Sequence, residues 1–248
     1  MKHLIIFLIF IHLLFPKDAV FLSSLDWPPY TYNKLHNQGF VTYLVKQTFD
    51  KAKIKANVDY FPWQRTLYYG KESSKYIGYF PEYYSPSIEK SFYFSNPIGS
   101  SPLGIIYNRE KPLSWNKIED LKKYKIGVVN GYVNTIEIDK LINQGKLKIE
   151  GVTSDIQNIQ KVSTNRIDLA IIDFNTFNFY MNNSPNLKKM KNNVIFHEKL
   201  LEEKNIYICF IRTPEGLKYR NLFNEALKSV DVNKIQKEYL NDLLKVKI

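Results

Sequence analysis

Short apolar runs of strand length alternate with amphipathic stretches of helix length from residue 19 almost to the C-terminus, and no segment repeats another. Alternation of this kind argues for an α/β fold. Residues 19–25 (AVFLSSL) read as the first strand. The segment Asp26-Trp27-Pro28-Pro29-Tyr30 breaks it, because paired prolines cannot continue a hydrogen-bonded ladder. After Gly39, the apolar residues Val41, Leu44, Val45, Phe49 and Ala52 recur close to every ~3.6 positions, which predicts a helix. A strand over 56–61, a helix over 63–70 and a strand over 76–80 follow.

Around residues 97–102 the pattern loosens into Pro, Gly and Ser, and a crossing between two lobes is expected there. Strands are predicted over 103–107, 126–129, 167–172, 194–196 and 206–211. Ser114 is placed at the start of a short helix, another helix runs over 134–141, and Ser154 or Asp155 caps a third that carries Ile156, Ile159 and Val162. A short helix over 174–181 follows the strand that ends at Asp173. Thr213-Pro214-Glu215 is a helix start with Pro at the first helical position, and two amphipathic helices close the chain.

Composition excludes several classes. With 44% hydrophobic and 15% aromatic residues in 248, the chain has ample material for a packed core. The start Met1-Lys2-His3 and the apolar run 4–15 have the form of a secretory signal, so residues 1–19 are expected to be a signal peptide, with an uncleaved membrane anchor as the alternative. Cys209 is the single cysteine, lies in an apolar run and reads as a buried structural thiol. The net charge of +11 comes from Lys scattered among Asn and Glu, without an Arg-rich helix or an RNA-binding signature, so no nucleic-acid partner is expected. His3, His12, His36 and His197 offer no metal-ligand spacing. No P-loop, G-x-G-x-x-G or G-x-S-x-G occurs, and no cofactor is expected.

Several segments occur in a telling order: Pro28-Pro29-Tyr30, Gly39-Phe40, Pro62-Trp63-Gln64-Arg65, Phe94-Ser95-Asn96-Pro97, Gly127-Val128-Val129-Asn130-Gly131, and the run from Arg166 to Asp173 (RIDLAIID). In this order and spacing they resemble the extracellular solute-binding proteins of family 3, the polar amino-acid-binding type that serves ABC transporters. The resemblance covers residues 20–244. It implies two α/β lobes of the type II periplasmic-binding-protein kind, each a mixed sheet flanked by helices, joined by two crossover strands, with a ligand cleft between them. Lobe one is expected over 20–100 and 204–248, and lobe two over 101–203.

The resemblance also implies ligand-binding residues. Asp173 corresponds to a carboxylate that holds a ligand amine, although an Asp before a helix also reads as a plain cap. Gly131 and Tyr132 fall at a turn whose backbone N–H groups take a ligand carboxylate, or at a tight turn that simply needs Gly. The family's carboxylate-clamping Arg falls on Ile88, so the clamp is missing, and Arg65 or Lys90 is left to supply positive charge. Arg65 is equally readable as a solvated helix charge. Trp27, Tyr30, Tyr83 and Tyr84 read as an aromatic cleft wall or as ordinary packing, and Glu82 as a partner for a ligand amine or a solvent-facing acid. A Tyr-rich wall without the Arg hints at a less charged ligand, such as an aromatic, a peptide fragment or a sugar.

The expected function is capture of a small polar solute outside the cytoplasm, in the periplasm, by a monomer that hands it to a membrane permease. A sensory protein for a membrane signalling partner is one alternative. A cyclohexadienyl-dehydratase-like enzyme is another; it needs a general acid and base, for which Glu82, Asp173 and Lys90 are available.

Overall fold

The computed structural model describes residues 18–245. The expected signal peptide over 1–19 lies almost wholly outside them, and among the described residues no helix is long and apolar enough to cross a membrane.

The first half of the chain builds β1 (Ala19–Ser24), α1 (Phe40–Lys51), β2 (Lys55–Tyr60), α2 (Trp63–Glu72), β3 (Gly78–Tyr83), the single-turn α3 (Pro86–Glu89) and β4 (Phe92–Phe94). The long strand β5 (Gly99–Asn108) leads into β6 (Lys125–Val129), α4 (Ile136–Asn143), β7 (Lys148–Val152), α5 (Asp155–Ser163), β8 (Leu169–Asp173), α6 (Phe174–Asn183), α7 (Pro185–Lys188) and β9 (Val194–Phe196). The equally long β10 (Glu202–Ile211) returns, and α8 (Pro214–Leu227) and α9 (Val232–Lys245) follow.

The sheet order is β2-β1-β3-β10-β5-β8-β6-β7. At one end β1 is parallel to β2 and β3; at the other, β6 is parallel to β7 and β8. Between them β5 and β10 run antiparallel, pairing Gly99 with Ile206 through Leu103 with Glu202. Beyond that shared stretch β10 pairs with β3 and β4, while β5 pairs with β8 and β9. These two strands therefore belong to both halves, and the loosening read at 97–102 marks where β5 enters the crossing.

Burial follows the apolar pattern. Phe40, Val41, Leu44, Val45 and Phe49 form the buried stripe of α1. One apolar cluster runs from Val20 and Phe40 through Ile105 and Ile206 to Ile126 and Leu141; a second, with Ile106, Ile159, Ile172 and Phe177, packs in the far half. Cys209 is buried within the first.

Some boundaries differ from expectation. β3 starts two residues later than predicted and runs on to Tyr83, which carries Glu82 and Tyr83 into a fully buried strand. β7 was not foreseen: Lys148, Glu150 and Gly151 break up its apolar signal, as is common on a partly exposed edge strand. Ser114 starts no helix; the turn forms at Ile118–Lys123, where the Asp120 carboxylate accepts from the N–H groups of Asn116 and Lys117. Thr135 caps α4, accepting from the Ile138 N–H at 3.2 Å, so that helix starts later than residue 134.

Gly78 opens β3 with φ of 152°, and a Cβ there would lie 2.0 Å from the carbonyl oxygen of Cys209 on β10. Backbone cannot swing aside as a flexible side chain can. Gly78→Ala is expected to destabilise the protein by about 3 kcal/mol, the upper range for a strained backbone position, read as a lower midpoint in urea melts. An unchanged midpoint would contradict this packing.

Candidate functional site

The loop after β1 is tied to the start of α1. The N–H of Val41 donates to the Tyr30 carbonyl at 2.9 Å and that of Phe40 to the Pro29 carbonyl at 3.3 Å. Gly39, with φ of 92°, makes this approach possible, since a Cβ would stand 2.4 Å from the Tyr30 oxygen. The loop thereby sets Tyr30 under Trp27, with ring centroids 4.2 Å apart and planes 18° from parallel, while Tyr83 meets Trp27 edge-on at 6.0 Å.

The two halves close on each other. The Gln64 side chain on α2 donates to the Asn130 carbonyl at 2.7 Å, and Trp63 meets Tyr132 edge-on at 5.5 Å. Tyr32 packs against Phe179 at 5.9 Å. Gly131 lets the chain pass close to α2: its φ is 83°, and a Cβ would come within 2.5 Å of Gln64 Nε2. Between the halves lies a cavity of about 30 Å³, bounded by Leu25, Trp27, Trp63, Pro81, Glu82 and Tyr83 on one side and Tyr132 and Val133 on the other. That holds roughly two water molecules, so a solute the size of an amino acid requires the halves to part.

Asp173 ends β8 and is 2% exposed. Its Oδ2 accepts from Tyr30 Oη at 2.7 Å and from Ser101 Oγ at 2.6 Å; its Oδ1 accepts from the Thr176 N–H at 2.7 Å. Asn175 Nδ2 donates to Tyr30 Oη at 2.9 Å, and the hydroxyls of Tyr83 and Ser101 are hydrogen-bonded. Asp173 therefore caps α6 and bridges the two halves, and it does not reach the cavity. Burial raises its pKa to about 6, against the pull of the Ser101, Thr176 and Tyr30 donors. Asp155, 5% exposed in the first turn of α5, is pushed to about 7 by burial and by the neighbouring Asp173 charge.

Glu82 is 5% exposed, and it is the cavity's only acidic lining residue among the described residues. Its Oε1 accepts from the Tyr83 N–H at 2.8 Å and its Oε2 from Tyr79 Oη at 3.1 Å. Burial raises it to about 8, outweighing those donors; Asp139 pushes the same way, while Lys204 opposes.

The predicted site residues divide cleanly. Trp27, Glu82, Tyr83 and Tyr132 line the cavity, Tyr30 and Asp173 lie in the hydrogen-bond network beside it, and Gly131 sits against Trp63 and Gln64. Arg65, Tyr84 and Lys90 are placed elsewhere, which corrects their expected cleft position. On α2 the inward residues are Trp63 and Thr66, three apart, and this turns Arg65 out to solvent. Tyr84 is exposed past the end of β3, donating to Glu89 Oε2 at 2.6 Å, and Lys90 is exposed at the end of α3. Ile88, at the clamp position, packs against the core.

Asp155, Ser101 and Lys204 also lie beside the cavity, and the sequence carries no site signal for them. Lys204, 5% exposed on β10 opposite Ser101, pairs with Glu202 Oε1 at 3.2 Å and lies 5.6 Å from the Tyr83 ring centre. The polar run Glu202-Glu203-Lys204-Asn205 gives no strand signal, so only the pairing with β5 reveals this buried cation. Ser101 was hidden in the Pro- and Ser-rich crossing, and Asp155 looked like a helix cap.

Two α/β halves that share a pair of crossing strands and shut on a cavity between strand ends define a two-lobed, periplasmic-binding-protein-like domain, the fold class expected from the sequence. Solved structures share it. The ligand-binding core of GluR0 from Nostoc punctiforme, crystallised with L-glutamate, aligns with a TM-score of 0.70 at 19% identity, covering 90% of this chain and 98% of that one. A histidine kinase sensor domain similar to periplasmic binding proteins reaches 0.76 at 14% identity, covering 90% and 97%. An arginine transport-system periplasmic binding protein from Legionella pneumophila reaches 0.69 at 15%, covering 91% and 99%. At these identities the likeness is one of fold. No protein-family model matches the chain, and no curated protein matches it.

Proposed function

We propose that this chain is a non-catalytic solute-binding protein that works outside the cytoplasm, in the periplasm, and is exported there by residues 1–19. It closes its lobes, 20–100 with 204–248 and 101–203, around a small polar solute and delivers that solute to an ABC-type membrane permease. One observation carries the reading: Trp63 and Glu82 from one half face Tyr132 and Val133 from the other across a cavity, and among the described residues only β5 and β10 tie those halves through the sheet. Strands shared in this way allow hinge closure, which strips water from polar contacts and strengthens them. An enzyme on this fold needs an acid and a base at the reacting atoms, and Glu82 stands alone among the carboxylates on the cavity wall.

A sensory role, with a membrane signalling protein as partner, is the second reading. It is favoured by the sensor domain among the structural neighbours. Both roles demand a ligand and a closing motion. A thermal-shift screen of amino acids, amines, sugars and short peptides is expected to return a compound that raises the melting temperature by several degrees, as about 3 kcal/mol of linkage at ~100-fold excess over Kd requires. The same compound should shrink the radius of gyration in small-angle scattering. A library without a hit, in a folded protein of invariant dimensions, overturns solute capture.

A further inference from the structure

The ionisable groups of the cleft are acids, whereas the chain as a whole carries a net +11. Glu82 is the one acid on the cavity wall, and Asp139, Asp155 and Asp173 lie behind it, with Asp155 and Asp173 almost wholly buried. Lys204 is the buried cation nearby, and it is already engaged with Glu202. Among the described residues no Arg or Lys lines the cavity; Arg65 and Lys90 are exposed. The remaining wall is aromatic: Trp27, Trp63, Tyr83 and Tyr132. Aromatic faces attract cations, most strongly where water is excluded. Each Glu82 oxygen accepts one hydrogen bond within the protein and keeps further acceptor capacity. Trp63 Nε1 is buried with no hydrogen-bond partner.

On the reading that this cavity is the ligand cleft, we infer that the solute is an organic cation, whose amine or ammonium group pairs with Glu82 between the rings of Trp27, Trp63, Tyr83 and Tyr132. It is not a molecule anchored by a carboxylate. The resemblance to amino-acid binders placed the amine at Asp173, but that carboxylate is engaged by Tyr30, Ser101 and Thr176. The cation belongs at Glu82 on β3 instead.

Calorimetric titration of the full chain with tyramine, putrescine and choline, and separately with L-glutamate and glucose, tests the assignment. At least one of the three cations is expected to bind. Glu82→Gln should weaken it ~100-fold, in the range lost when a buried charged partner is removed, and Lys204→Met should change it by no more than a few-fold. Glu82→Gln keeps the hydrogen-bonding shape of the neutral acid, and its thermal melt establishes that it folds. Binding of L-glutamate that Lys204→Met abolishes, or of glucose that survives Glu82→Gln, overturns the cationic assignment and leaves solute capture standing. Silence from all three cations also overturns it, whereas solute capture falls only if the wider thermal-shift library is silent too.

Discussion

Asp173→Ala is expected to lower the melting temperature by about 10 °C. The substitution leaves the Tyr30 and Ser101 hydroxyls and the Thr176 N–H without the acceptor they share, in a site that is almost fully buried. Hydrogen bonds to an ionised group contribute about 1.5–3 kcal/mol each, and a lost helix cap costs about 1 kcal/mol. Partial rescue is available, because Tyr30 Oη keeps Asn175 and Ser101 Oγ keeps Tyr83. The net loss is then about 3 kcal/mol, at roughly 2–4 °C per kcal/mol for a chain of this size. Asp173→Asn retains an acceptor oxygen and should cost about 1 kcal/mol, because the hydroxyls can turn to accept from its amide. Equal melting temperatures for the wild type and Asp173→Ala would show that the network does not hold the halves together. Arg65→Ala, on the solvent face of α2, is the matched control and should leave both stability and binding unchanged.

The fold was legible because each strand and helix carries its own periodicity. The helix over α1 could be read from Val41 to Phe49, and the α6 cap from Asp173 alone. The loosened run from Pro97 to Pro102 overlaps the start of β5. The site was less legible, since its chemistry depends on burial, and burial is set by contacts distant in sequence. Glu82 and Glu89 are alike in sequence; one lies in the buried strand β3, the other on an exposed turn. Lys204 lies in a run that reads as solvated, yet β5 pairs alongside it and encloses it. Arg65 was drawn toward the cleft by its neighbour Trp63, but two positions along a helix turn a side chain to a different face.

Stability should fall as pH rises from about 5 to 8, the reverse of the usual response of carboxylates in ion pairs. Glu82, Asp155 and Asp173 sit at about 8, 7 and 6 in the folded protein, against reference values of 4.5, 3.8 and 3.8. Between each pair of values the folded state binds more protons than the unfolded state, so unfolding becomes easier as pH rises through that window, and the loss is complete once the folded value is passed. Glu82 is faced by Tyr79 and Tyr83 on its own strand, Asp139 on α4, and Tyr132, Lys204 and Cys209 from the elements packed against it. Of these, Asp139 also has a raised pKa and acts in the same direction. Partly exposed Glu150 is held down at about 2 by Lys125 and Lys161, and solvent screening keeps its opposing effect small. A full shift costs ~1.4 kcal/mol per pKa unit, and parting of the halves hydrates the carboxylates, so the realised loss stays below the sum of the shifts while the melting temperature still falls from pH 5 to pH 8. Scattering should accordingly report a larger radius of gyration at pH 8.5 than at pH 5. A bound organic cation favours the ionised form of Glu82, so its affinity should rise about tenfold per pH unit between pH 6 and pH 8, and at saturation it should flatten the fall in stability. A melting temperature that is constant or rising from pH 5 to 8 would mean that these acids are solvated in the folded protein, and the closed aromatic cleft would have to be abandoned.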